Sequence, residues 1–196
     1  MNIEYTYGLA CFVIPCLIWQ AVNWKKIYKK QYMIRHIIWT YIFIFYAFVV
    51  VIDAARIGTI WDFVACKELY PVINIIPFSS EGAMTYILNV AMTVPLGFLL
   101  SLIWKEFRKL YLVLLAGLGF SLIIEILQLF NHRVSDIDDL LMNTIGAMVG
   151  FGIWFLFQLI FKKAGDKATS ICKAEAIIYL ALGTAGVFLL YNWRIF

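Results

Sequence analysis

Ser121, Glu125, Gln128 and His132 recur at offsets 0, 4, 7 and 11 in and just beyond an apolar run, Leu110 to Phe130. At helical pitch the four side chains project from one side. An ionisable residue at membrane depth costs roughly 2.5–3.5 kcal/mol on insertion scales, so Glu125 is expected to be there for a use. One use is proton exchange as an acid or base; the other is a structural ion pair with Arg133 or a bond to a polar group on a neighbouring helix. His132, at the mouth of the next loop, reads either as a surface residue or as a base. Asp136, Asp138 and Asp139 offer oxygen donors of the kind Mg²⁺ or Ca²⁺ takes, but the glycine and terminal glutamate of a calcium loop are missing, and no metal site is assigned. Asp136 and Asp139 also suit the start of a helix, where carboxylates meet free amides and the positive dipole end.

Two further patterns adjoin these residues. Asn89 and Thr93 lie one turn apart ahead of Pro95 and Gly97; Pro95 has no amide hydrogen for the Ala91 carbonyl, so a kink is expected. Asp139, Asn143, Gly146 and Gly150 repeat the 0, 4, 7, 11 offsets, a polar end running into a small-residue seam made for close helix contact.

The elements that must position these groups are membrane helices. The chain is 64% hydrophobic and 14% charged, with a mean hydropathy of +0.88, where a soluble domain carries roughly a quarter charged residues. Six apolar segments, approximately Tyr5–Val22, Ile34–Ile52, Ala83–Trp104, Leu110–Phe130, Leu140–Phe161 and Ala174–Trp193, are each long enough to span about 30 Å as a helix. Open sheet edges are excluded in lipid, and a β-barrel shows short alternating segments instead. The expected fold is all-α: a polytopic membrane helical bundle of about six transmembrane helices, one domain over residues 1–196, with a long external loop between helices 2 and 3. The eight residues Asn131 to Asp138 join helices 4 and 5 as a hairpin, so helix 4 is the expected neighbour of the glycine seam. Its facing sides would gather the polar residues near the external leaflet.

Twelve of the sixteen Lys and Arg residues fall in alternate loops: Lys25, Lys26, Lys29, Lys30 and Arg35; Lys105, Arg108 and Lys109; Lys162, Lys163, Lys167 and Lys173. The positive-inside rule assigns these loops to the cytoplasm and both termini to the outside. The acidic loops, with Asp53, Asp62, Glu68 and Glu81 and with Asp136, Asp138 and Asp139, are then external. The net charge of +4 is a topology signal and implies no nucleic-acid partner. The first helix has Glu4 and no Lys or Arg in its leader, and no small-residue cleavage pattern follows, so it is expected to remain in the mature protein. Cys11, Cys16, Cys66 and Cys172 are read as free thiols, and the tryptophans, mostly near helix ends, as interfacial anchors. The segment from Tyr70 to Phe78 is apolar and carries Pro71 and Pro77; it reads as a lid or re-entrant segment, or as an interfacial stretch packed over the bundle.

Asn74-Ile-Ile-Pro77-Phe78, then Asn89 followed by Pro95-Leu-Gly97-Phe98, then Ser121, Glu125 and Gln128, and finally Arg133, Asp136, Asp138, Asp139, Asn143, Gly146 and Gly150 resemble the ordered pattern of the VanZ family. The resemblance covers approximately residues 74–154. Thr93 departs from it, standing where a bulky apolar or aromatic residue is expected. The resemblance implies a bacterial plasma-membrane protein, some of whose relatives are linked to low-level resistance to teicoplanin-type lipoglycopeptides. It implies no reaction.

Two functions make different demands on the same residues. In one, the protein binds a membrane lipid, a lipid-linked envelope component or a lipoglycopeptide without catalysis, through Asn74, Asn89, Ser121, Glu125, Gln128, Arg133, Asp136, Asp138, Asp139 and Asn143. In the other it is an envelope-modifying enzyme or proton-linked transporter, with Glu125 and Asp139 as candidate catalytic groups and Arg133 holding an anion. No nucleophile with an adjacent base is visible, which favours the first reading. No cofactor is assigned.

Overall fold

The structure, a computed structural model, describes residues 3–66, 72–78, 82–131, 133–161 and 168–195. His132, Glu68, Glu81, Tyr70, Pro71, Lys162, Lys163 and Lys167 lie outside these residues, as does the Cys66 side chain. Six helices among the described residues are long and apolar enough to cross a membrane. The chain runs through α1 (Ile3–Val22), the short α2 (Trp24–Ile27), α3 (Met33–Val49), α4 (Ile60–Cys66) and strand β1 (Val72–Asn74). It continues through α5 (Ala83–Ile103), α6 (Leu110–Gln128), strand β2 (Val134–Asp136), α7 (Ile137–Ile160) and α8 (Glu175–Leu190). The last turn of α3 widens into a π-helical segment, Val50–Ala54. All-α architecture is the finding, with one small addition: β1 and β2 pair in parallel, Val72 opposite Val134 and Asn74 opposite Asp136. Both strands fall in the connections between the long apolar helices, not within them.

Close approach of two backbones explains the order of packing. A methyl group at Gly97 of α5 would overlap the Ala147 carbonyl, and one at Gly146 or Gly150 of α7 would overlap the Val90 or Val94 carbonyl of α5. The glycine seam thus faces α5, which corrects the expectation that it faces α6. Chain adjacency favoured the hairpin partner, but the seam's match is Gly97, a small residue that lets the α5 backbone come in. Helix α6 also packs on α7, through Gly117 against the Ala147 methyl. On the other side of the bundle α1 meets α8, with Gly183 and Gly186 seated against Phe12 and the Cys11 carbonyl. The core between these layers includes Phe43, Phe48, Leu96, Leu100, Trp104, Val113 and Ile124, all buried. Trp104 and Trp154 are buried and so are packing residues, not the interfacial anchors their helix-end positions suggested. Arg108 lies over the Trp154 ring, 5.7 Å from its centroid.

The two faces of the bundle differ in charge. Both ends of the described chain meet the segment after α3 and each other: Tyr5 donates to Asp53 at 3.0 Å, the Trp193 indole to Asp62 at 2.8 Å, and Tyr191 to Glu4 at 3.2 Å. This face also carries the β1–β2 pair. The described basic residues between the spanning helices, Lys25 to Arg35, Lys105 to Lys109 and Lys173, lie at the opposite face, where His36 and Glu175 form a buried pair at 2.8 Å and Ser170 donates to Glu106 at 2.9 Å.

Candidate functional site

Strand β2 runs straight into α7, and this junction organises the polar residues. Asp136 sits at the N-cap of α7 with extended backbone, φ −121° and ψ 133°. Its Oδ1 accepts the Asp138 amide at 2.9 Å, and its Oδ2 accepts the Asn74 side-chain amide at 2.8 Å. One carboxylate thereby caps the helix and clamps β1 to it. From α6, Glu125 accepts the Asp136 amide through Oε2 at 3.0 Å. Glu125 is 4% exposed, and its carboxyl oxygen meets an amide at the start of α7, where backbone donors lack partners within the helix.

The remaining acidic residues are engaged in the same way. Asp138, fully buried, accepts the Phe78 amide at 2.8 Å and the Tyr86 hydroxyl at 2.9 Å. It ties the segment after β1 to the first turns of both α5 and α7. Asp139 accepts the Asn89 side-chain amide from α5. One turn deeper, Asn143 donates to Ser121 of α6 at 3.0 Å, while Thr93 of α5 donates to the Asn143 carbonyl at 2.7 Å. The hydroxyl at position 93 therefore has work that a bulky apolar side chain would not do. It bonds α5 to α7 beside Gly146, where there is no room for bulk.

Gln128 and Arg133 turn the other way, toward the loop after α3. The Ala55 carbonyl accepts from Gln128 Nε2 at 2.7 Å and from Arg133 Nη1 at 2.9 Å. The Asn131 side chain donates to the Arg56 carbonyl at 2.7 Å, and the Gly58 amide donates to the Leu127 carbonyl at 3.0 Å. Gly58 is required by close approach, since a side chain there would meet the Leu127 carbonyl and the Asn131 amide. Arg56 holds a left-handed backbone at φ 48°, a conformation uncommon outside glycine that these surrounding bonds hold in place. The Glu125–Arg133 ion pair considered from sequence is not formed: Glu125 caps a backbone amide and Arg133 braces a carbonyl.

Of the candidate residues, Asn74, Asn89, Ser121, Glu125, Asp136, Asp138, Asp139 and Asn143 come together in one network beneath the β1–β2 pair. Gln128 and Arg133 form a second group around Ala55. Buried polar groups of this kind are favourable only when paired, and these carboxylates are paired with protein donors. Among the described residues no group of three His, Cys, Asp or Glu is arranged to hold a metal ion. Tyr86 and the Ala55 carbonyl were missed in sequence. Tyr86 lies one turn before Asn89, a spacing that places it on the same helix side, whereas a backbone acceptor leaves no signature in residue type.

The family model described as VanZ/LLP1 matches residues 18–158, a stretch that contains the whole network and extends back into α1. No curated protein and no solved structure matches the chain.

Proposed function

The chain belongs to the VanZ/LLP1 family, and on that premise we propose that it is a non-catalytic membrane protein that binds an amphiphile at the face carrying its two chain ends. The candidate amphiphiles are a membrane lipid, a lipid-linked envelope component or a lipoglycopeptide. This face is read as external to a bacterial plasma membrane, from the basic loops on the opposite side. The observation that carries the reading is Glu125 accepting the Asp136 amide at 3.0 Å. That bond commits the one carboxyl group of α6 to positioning β2 and α7, so the polar network supports a surface instead of forming a reaction centre. Low-level resistance to teicoplanin-type lipoglycopeptides is the phenotype proposed to follow from such binding.

A second reading keeps Glu125 as a proton-exchanging group in an enzyme or transporter. It is favoured by one feature: among the described residues the buried carboxylate has no cation within ion-pair range. Susceptibility to teicoplanin in a sensitive bacterium, compared between wild type, Glu125→Gln and empty vector at matched protein levels, separates the readings. The binding reading expects reduced susceptibility from both proteins. Loss of the effect in a stably folded Glu125→Gln would favour proton exchange, and no effect from wild type would overturn the resistance phenotype.

A further inference from the structure

Beside the network, on the same face, lies a cleft of about 600 Å³, within the range of small-molecule sites. It is built from three parts of the chain that are remote in sequence: Glu4 and Tyr5 from α1, Asp53 and Arg56 after α3, and Tyr191 and Arg194 after α8. Arg56 and Ile57, of the turn from Ala55 to Gly58, line it on one side. Gln128, Asn131 and Arg133 pin that turn from the end of α6 and the residues after it, and the strained Arg56 backbone places its exposed side chain in the cleft wall.

Charge in the cleft is divided. Glu4 and Asp53 each accept a tyrosine hydroxyl, from Tyr191 at 3.2 Å and Tyr5 at 3.0 Å. A neutral hydroxyl orients a carboxylate and leaves its charge uncompensated. Asp62, by contrast, is committed to structure: it accepts the Thr59 amide at 2.8 Å, the Thr59 hydroxyl at 2.9 Å and the Trp193 indole at 2.8 Å. Arg194 lies 4.0 Å from Asp62 and over the Trp193 ring. The Arg56 guanidinium forms no ion pair among the described residues. The cleft therefore offers two oriented carboxylates and a free planar cation, within aromatic walls. Ile3 and Ile195, both exposed, are apolar residues at the chain ends that meet here.

We propose that this cleft binds a dipolar headgroup carrying a primary ammonium and a phosphate, as in an aminophospholipid. The ammonium's three donors suit the Glu4 and Asp53 carboxylates, and the phosphate suits the fork of Arg56. The apolar tails would continue along the exposed aliphatic residues into lipid. A trimethylated ammonium cannot donate to the carboxylates, and a glycerol headgroup leaves them without a cation. The inference rests on the amphiphile-binding reading and names its headgroup.

The test uses the purified full chain in detergent, with binding read by native mass spectrometry. The probes are short-chain phosphatidylethanolamine, phosphatidylglycerol and phosphatidylcholine, with soluble phosphoethanolamine as competitor. Wild type is expected to bind phosphatidylethanolamine at least about tenfold more tightly than either other lipid. Arg56→Gln and the double variant Glu4→Gln/Asp53→Asn should each erase that preference, while Arg56→Lys should keep part of it and Lys29→Gln, on the opposite face, all of it. Competition by soluble phosphoethanolamine would identify the headgroup alone as sufficient; its failure to compete would assign the site to the lipid. Equal binding of the three lipids, or a preference that survives in both charge variants, would overturn the inference. If wild type lowers teicoplanin susceptibility yet shows no headgroup preference, the inference fails and the binding reading stands.

Discussion

Glu125 and Asp136, eleven positions apart, meet across the α6–α7 hairpin through a carboxylate-to-amide bond of 3.0 Å. A residue that looks catalytic by type and depth thus completes the start of the next helix. An amide oxygen accepts as a carboxylate oxygen does, whereas an aliphatic side chain leaves a buried donor unmet. Glu125→Gln should therefore fold and unfold close to wild type, and Glu125→Leu should lose about 1–3 kcal/mol. Thermal unfolding in detergent measures both; equal losses in the two variants would point to the charge instead of the acceptor.

The glycine seam gives a prediction with an internal control. Gly146→Leu and Gly150→Leu force side chains into α5 carbonyls, while Gly119 and Gly152 face open space. The first two should abolish or sharply reduce monodisperse protein, and Gly119→Leu and Gly152→Leu should leave the yield near wild type. Size-exclusion profiles of fluorescent fusions report the outcome. Tolerance of leucine at both seam positions would refute the α5–α7 contact.

Asp138 holds the segment after β1 through the Phe78 amide and Tyr86. In Asp138→Ala these donors lose their acceptor, so amide exchange across residues 72–78 should accelerate by about tenfold or more, the equivalent of roughly 1.4 kcal/mol of local opening. Helix α8 should exchange as in wild type. Unchanged exchange at 72–78 would mean that the strand pairing alone holds the segment.

Orientation in the membrane is open to chemistry. Cys172 is exposed on the basic face, and Ile195 is exposed on the face with the chain ends. A membrane-impermeant thiol reagent on intact cells should label Ile195→Cys and reach Cys172 only after permeabilisation. The reverse order would invert the proposed topology.

Much of this architecture was legible because the bilayer narrows the choices. A run of about 20 apolar residues has one economical structure in lipid, a helix, and helical pitch alone aligned Ser121 with Glu125 and Asp139 with Asn143. The acidic Asp136 could likewise be read as a helix cap, because capping is a local interaction between neighbours in the chain. Partners were another matter. Gly146 and Gly150 announce that some backbone comes close, but small residues carry no address, and only three-dimensional packing selected α5 with its Gly97. Arg133 lay within plausible reach of Glu125, yet the turn after α3 brought the Ala55 carbonyl to it, an acceptor that every residue possesses and no residue type reveals. The cleft was the least legible feature. Glu4, Asp53, Arg56 and Arg194 have no common spacing, and their charges acquire a joint meaning only when the fold brings both chain ends against the loop after α3.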